Sequence, residues 1–420
     1  MKSNFWGESR LKLIDVIRNT CILGTLEELR KQQYYNSEVL RKISEDRFNE
    51  INILAQKTTD YYSKGITYEK LIKLEKDEIR KNFNSFISKS YTNKLYKKAT
   101  GGSTGIPLLY YTTNESISYL WAGILLSWEV AGYIVGEKVA FLAGTSIIKK
   151  DIRHDIFYKL MNIDVYSTYR MDEKTIIEYI ENIRNSKAKI IYGYATAIAF
   201  AAEIIKRNQI LPLKELKGII STAEVLTIEN KKIIEEAFQV KVFNQYGCNE
   251  AGISAFECEH GKMHLINTRC KYEVDEEGNL ISTDLTNKGF ILIKYVTGDQ
   301  VELSERDNCL CKRNYPIIEN IKGRSYDLIV DSNNHIMHAA FFNILFKNDT
   351  TIKQFQVRFN KNKISIYLDT DKTKPSVKDY QHYLDAIKKY LFFNEYEIIL
   401  SAELIKSSSM KHRYVINTEL

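Results

Sequence analysis

Proline is scarce in this 420-residue chain, at four positions only (107, 212, 316 and 375). That scarcity excludes polyproline or collagen-like architecture and leaves helices and strands free to run uninterrupted. Long apolar runs are also missing. The longest uncharged stretches, Ile190–Ala202 and the one ending before Glu129, are too short to span a bilayer, so no membrane span is expected. No charge of one sign is blocked: 60 basic and 53 acidic residues are interspersed, with a net charge of +7. Without a basic stripe carrying interleaved aromatics, a nucleic-acid partner is not expected. The opening residues, MKSNFWGESRLK, contain no apolar signal core, and the expected location is the cytoplasm. Internal repeats and low-complexity linkers are absent. What remains is an ordinary globular composition, 44% hydrophobic and 27% charged, long enough for more than one domain.

The apolar spacing predicts three regimes. Residues 1–95 place Leu11, Ile14, Ile17, Leu71 and Leu74 at helical intervals among charges, a helical lead-in. From about 138, short β-rich runs (139–142, 190–192, 218–221, 242–245) alternate with helical segments (174–183, 196–206, 228–238). That alternation indicates an α/β core with largely parallel strands. Residues 271–330 read as strand and turn. The last hundred residues hold strands at 354–359 and 363–368, a helix near 377–392 and a strand at 396–402 leading into a basic tail. The expected architecture is a large N-terminal α/β domain (1–323) followed by a small, mobile C-terminal α+β domain (324–420).

The most informative segment is Thr100-Gly101-Gly102-Ser103-Thr104-Gly105, which packs three glycines and three hydroxyls into six residues behind Lys94, Lys97 and Lys98. Glycines let a backbone approach an anion, and hydroxyls and exposed N–H groups donate to phosphate oxygens. It differs from the P-loop, because no Lys-Ser/Thr pair follows the last glycine. Further along come Ala223-Glu224, then Gln245-Tyr246-Gly247-Cys248-Asn249-Glu250, Asp299, Arg324 and Lys411. Around ATP each has a chemical use. Tyr246 would pack on the adenine, Glu250 would ligate Mg²⁺, Asp299 would accept from ribose hydroxyls, and Arg324 and Lys411 would neutralise phosphate charge.

This ordered set resembles the adenylate-forming, acyl-CoA synthetase-like superfamily, and within it the phenylacetate–CoA ligase branch with its capsular-polysaccharide-type members. The likeness runs from about residue 95 to the end. It implies that a carboxylic acid, aryl or small, attacks the α-phosphate of ATP to give an acyl-adenylate and pyrophosphate. The acyl group then passes to a thiol such as CoA, or alternatively to an amine or a carrier-protein thiol in a biosynthetic pathway. It further implies ATP/AMP contacts from Thr100 to Gly105, Ala223, Glu224, Gln245, Tyr246, Gly247, Asn249, Asp299 and Arg324. The catalytic groups would be Lys411, Glu250 and Arg324, and the acyl pocket would use Tyr192, Tyr194 and Tyr246. A non-catalytic nucleotide-binding protein is the contrasting reading, opposed by the retained Glu250, Asp299, Arg324 and Lys411. Departures from the pattern are Ala223 for Gly, Asn249 for Thr, Lys294 for Arg, Tyr326 for Asp and Met410 for Gly.

The six cysteines are unevenly placed, most of them between 248 and 311. Cys258, Cys309 and Cys311 with His264 offer the donor set of a structural Zn²⁺, with His260 competing for the fourth place. The branch named above has members with a similar site.

Overall fold

A computed structural model of the chain describes residues 4–62, 68, 71–100, 108–143, 152–168, 171–304, 309–322, 328–333, 335–338, 340–346, 349, 351–371, 376–401 and 415–419. The lead-in is helical, as its spacing predicts: α1 (Phe5–Arg18), α2 (Ile22–Gln32), α3 (Ser37–Thr58) and the short α4 (Lys76–Lys81). Asn4 and Asn36 cap α1 and α3 by accepting from the backbone N–H groups of Gly7 and Val39. A hairpin, β1 (Tyr96–Ala99) and β2 (Leu109–Thr112), then leads into the buried α5 (Asn114–Val130).

The strand–helix alternation follows as β3 (Val139–Ala143), α6 (Ile152–Leu160), β4 (Ile163–Ser167), α7 (Glu173–Ser186) and β5 (Ile190–Tyr194). It continues through α8 (Ala195–Arg207), β6 (Gly218–Thr222), α9 (Ile228–Phe238) and β7 (Val242–Cys248). These five strands are parallel, in the order β4-β3-β5-β6-β7. Strand β4 was not anticipated. Alternate side chains of the strands serve opposite layers, the period of two expected of a sheet covered on both faces. Tyr192, Ile220 and Phe243 join the core under α1, α2 and α5, whereas Ile191, Ile219 and Val242 join the core under α7, α8 and α9.

The sheet does not stop at β7. It continues antiparallel through β8 (Ile253–Glu257), β9 (Met263–Leu265), β10 (Cys270–Val274), β11 (Asn279–Asp284), β12 (Tyr295–Leu303) and β13 (Ile317–Lys322). The full order is β10-β11-β12-β13-β9-β8-β7-β6-β5-β3-β4, eleven strands of mixed sense. The turn-rich region is therefore an extension of the core sheet.

The C-terminal region has its own core. It contains β14 (Leu328–Val330), β15 (Ile336–His338), α10 (Ala340–Phe346), β16 (Ile352–Phe359), β17 (Lys363–Thr370), α11 (Gln381–Lys388), β18 (Glu395–Leu400) and β19 (Val415–Asn417). A four-stranded sheet, β18-β17-β16-β19, buries Phe355, Val357, Ile364 and Ile366 against Tyr380 and Ile387. The expected helix over 377–392 is shorter. A 3-10 turn (Val377–Tyr380) precedes α11, and the chain then bends so that Leu391 and Phe393 also reach the core. The tail also carries β19, which adds to the sheet beside β16. Near its junction with the large region, His335 lies 3.9 Å from Asp172, the cap of α7. No helix among the described residues is long and apolar enough to cross a membrane.

Candidate active site

A cleft of about 780 Å³ opens at the carboxyl ends of β6 and β7, where α/β sheets place ligands. From β6 it takes Ala223 and Glu224. Ala223 has φ of +67°, the left-handed region that glycine occupies without cost. Glu224 turns back to α8 and accepts from the Thr196 backbone N–H (2.9 Å) and hydroxyl (2.7 Å). Burial outweighs these two hydrogen bonds and pushes its carboxyl up to about 7.

From β7 come Gln245, Tyr246, Gly247 and Cys248, and the 3-10 turn Asn249–Ala251 supplies Asn249 and Glu250. Gly252 closes that turn with φ of +68°, and a Cβ there would lie 2.7 Å from the Asp284 carboxyl carbon. Burial first, then the Asp299 charge, hold the Tyr246 phenol well above the usual tyrosine range. It therefore donates to the Asp299 carboxylate at 2.9 Å. The Cys248 thiol is likewise pushed up by burial and by Glu250, and stays protonated. Glu250 also faces the Tyr295 hydroxyl at 3.5 Å.

The far wall is built from β12 and β13. Asp299 follows Gly298 (φ of +80°), and its N–H donates to the Thr297 hydroxyl at 3.1 Å. Thr100 sits at the mouth. Its N–H donates to the Leu108 carbonyl and its hydroxyl accepts from the Leu108 N–H, both at 2.9 Å, closing the β1–β2 hairpin. Gly101–Gly105, Arg324 and Lys411 lie outside the described residues, as do Tyr326 and Met410.

The lead-in contributes a residue that sequence reasoning missed. Leu74 pairs with the start of β12, its N–H donating to the Lys294 carbonyl (2.8 Å) and its carbonyl accepting from the Val296 N–H (3.0 Å). Two residues on, Lys76 lines the cleft with Thr100, Cys248 and Glu250. No local signal marks it, because it reads as one more charge on a helical segment. Lys294, by contrast, lies over the Tyr68 ring (4.3 Å) and near Glu273. Tyr192 packs in the core against Trp128 and Phe141, and Tyr194 caps α8; among the described residues, neither lines this cleft.

At the same end of the molecule the β8–β9 turn contributes Gly261, Lys262 and Met263 to the cleft. That turn is bound into a cluster of Cys258, His264, Cys309 and Cys311, whose donor atoms fall within 4.8 Å of one another. The Cys258 and Cys309 sulfurs are 3.6 Å apart, and Cys311 Sγ is 3.3 Å from His264 Nε2. A tetrahedral zinc with ordinary bond lengths sets donor–donor edges of about 3.5–3.8 Å, close to these two separations. His264 Nδ1 donates to the Tyr315 carbonyl (3.1 Å), fixing the tautomer that turns the Nε2 lone pair toward the thiols. His264, not His260, completes the set.

No protein-family model matches the chain. Protein CapK of Staphylococcus aureus is 28% identical over 373 residues, covering 82% of this chain and 82% of that protein. Among solved structures, 2-hydroxyisobutyryl-CoA ligase with 2-HIB-AMP and CoA in the thioesterification state superposes with a TM-score of 0.61. The match is 15% identical and covers 92% of this chain and 91% of that one. An open conformation of the same ligase with the same two ligands gives 0.58, at 14% identity over 92% and 93%. The chain has the fold of the adenylate-forming ligases. In that fold, the sequence-anticipated Ala223, Glu224, Gln245, Tyr246, Gly247, Asn249, Glu250 and Asp299 share one cleft with Thr100 and Lys76.

Proposed function

We propose that the protein is an ATP-dependent ligase that activates a carboxylic acid as its acyl-adenylate, releases pyrophosphate, and passes the acyl group to a thiol such as CoA. The observation that carries this reading is the convergence of Tyr246 and Glu250, Asp299 and Lys76 on one cleft from three separate segments of the chain. The likeness to 2-hydroxyisobutyryl-CoA ligase supports a small organic acid as substrate and a thiol as acceptor.

The roles follow from the chemistry of each group. Asp299 accepts from ribose hydroxyls while retaining the Tyr246 phenol, which fixes the ring beside the adenine. Asn249, exposed in the cleft, donates its amide to a phosphate oxygen. Glu250 offers a hard carboxylate donor that suits Mg²⁺, and the ion would screen phosphate charge. Lys76 neutralises charge on the departing pyrophosphate, together with the loop that Thr100 begins. Lys411 and Arg324 act from the C-terminal region, which we take as a second domain (324–420) beside the first (1–323). In the adenylation state Lys411 lies between the carboxylate and the α-phosphate. The protein supplies positioning and electrostatic stabilisation of the phosphoryl centre. At the Cys/His cluster, three thiols and one imidazole suit a closed structural zinc, which takes no part in the chemistry and braces the β8–β9 turn.

The test is to incubate the protein with ATP, Mg²⁺ and a panel of small and aryl acids, with and without CoA, and to separate the nucleotides. Acid-dependent AMP with an acyl-CoA product is expected. Acid-dependent AMP with acyl transfer to an amine or carrier thiol would replace the acceptor only. ADP as the product would overturn the reading.

A further inference from the structure

Helix α1 has two apolar faces, and the fold uses one. Gly7, Leu11 and Ile14 recur at intervals of four and three and are buried. A Cβ on Gly7 would fall 2.0 Å from the Val135 carbonyl oxygen, so the helix backbone lies directly on the segment before β3. Arg10 fastens it there by donating to the Gly136 carbonyl at 2.7 Å.

The other face points to solvent. Phe5, Trp6, Leu13, Val16 and Ile17 are 73%, 75%, 48%, 80% and 61% exposed. With 3.6 residues per turn they share one arc of about 120°, interrupted only by Ser9. The Phe5 and Trp6 rings meet edge to face, with centroids 5.9 Å apart. A surface helix ordinarily sets polar residues opposite its buried stripe. An aromatic side chain offers about 150–250 Å² and the aliphatic ones less, so the five expose about 600 Å² together. That reaches the upper end of the largest apolar patch on a typical monomer, about 300–600 Å².

Area and charge choose the occupant. Two copies joined through these stripes would bury about 1,200 Å², the lower bound of a specific interface. A two-fold, antiparallel pair centred midway along the stripe sets Phe5 and Trp6 of one copy against Val16 and Ile17 of the other. Glu8 and Lys12, four residues apart, lie on the same edge of the stripe. Two-fold symmetry brings like edges together, so Glu8 of one copy comes level with Lys12 of the other to within about 3 Å along the axis. Because α1 is already fixed through Gly7 and Arg10, pairing orders no new backbone. A lipid surface suits the helix less. An interfacial helix presents a basic polar face, whereas here the opposite face is spent on the core and the flanks mix Glu8 and Asp15 with Lys12.

We propose that α1 is a homodimerisation surface, on which a second copy of this chain packs antiparallel through Phe5, Trp6, Leu13, Val16 and Ile17. The argument does not depend on the reaction assigned to the cleft.

The test is sedimentation velocity on the full chain from about 0.1 to 100 µM, with dimer expected at a dissociation constant of about 10 µM or tighter. Val16→Glu and Ile17→Glu place a charge in the stripe at exposed helical positions. Each should raise that constant by about 30-fold or more while the circular dichroism spectrum is unchanged. Glu8→Lys should weaken the dimer about three- to tenfold, and adding Lys12→Glu should restore it. The restoration is a result that a merely sticky surface would not give. A parent that stays monomeric throughout overturns the proposal, as does a well-folded Val16→Glu that dimerises like the parent. A monomer that cosediments with phosphatidylglycerol vesicles, and loses that binding in Val16→Glu, would overturn it in favour of a membrane surface.

Discussion

The Tyr246 phenol donates to the Asp299 carboxylate at 2.9 Å, although β8, β9 and β13 lie between their strands in the sheet. Four strand spacings would separate the two backbones by about 19 Å along a flat sheet, further than the side chains reach. The pair meets because the sheet curls. That curl turns the antiparallel extension into the far wall of the cleft. Tyr246→Phe removes the bond and keeps the ring, so the KM for ATP should rise roughly 3- to 10-fold, the worth of one hydrogen bond. Asp299→Ala should cost more, since it also removes the ribose acceptor. Steady-state kinetics with ATP varied would show this, and wild-type values for both variants would contradict the role.

Lys76 should matter to the pyrophosphate and not to the acid. Lys76→Ala is expected to lower kcat/KM for ATP by roughly 10- to 100-fold, with Lys76→Arg partly restoring it, and with the KM for the acid little changed. A loss confined to acid binding would place the lysine at the other end of the reaction.

Glu224 makes folding stability depend on pH. Its folded carboxyl titrates near 7 against an ordinary 4.5, so between those values the folded state binds more protons than the unfolded state. Stability contributed by the protonated form is therefore present at low pH and lost as pH rises through this window. Glu224→Gln keeps an acceptor for Thr196 and removes the titration. The variant should be more stable than the parent at pH 8, by up to about 3 kcal/mol, with little difference below pH 4.5. Chemical denaturation at pH 4.5 and 8 decides it; a parent that is the more stable at pH 8 would reverse the sign.

Metal analysis of the purified chain should find one zinc per molecule. Cys311→Ser should lose the metal and lower the melting temperature. Because the cluster holds the β8–β9 turn against the cleft, ATP affinity should weaken with it. A metal-free parent with the same melt would remove the structural role.

Much of this was legible in the sequence because it is local. The runs at 190, 218 and 242 alternate with well-spaced helices, and the residues after β6 and β7 carry their chemistry in contiguous order. Ala223 is instructive. It stands where the resembled pattern has glycine, and its backbone takes φ of +67°, a region glycine enters without cost. What escaped was set by distant pairings. Strand β4, at the sheet edge, is a five-residue run, Ile163–Ser167, whose buried positions do not alternate. Lys76 reaches the cleft because Leu74 pairs with β12, more than two hundred residues away. The choice of His264 over His260 rests on β9 pairing with β13, which brings its ring to Cys311. The tyrosines of β5 read as pocket residues, and Tyr192 went to the core because its alternation points it at Trp128.

Lys411 separates the proposed half-reactions most cleanly. Lys411→Ala should abolish adenylate formation, by at least about a hundredfold, while ATP binding persists. Unchanged turnover would remove it from the chemistry.

The central claim is adenylate formation in this cleft, and ATP–pyrophosphate exchange tests it most directly. With Mg²⁺, labelled pyrophosphate, a panel of small and aryl acids and no acceptor, label should enter ATP only when one particular acid is present, and Asp299→Ala should suppress it. Acid-independent exchange, or silence across the panel from protein that binds ATP, would contradict the account.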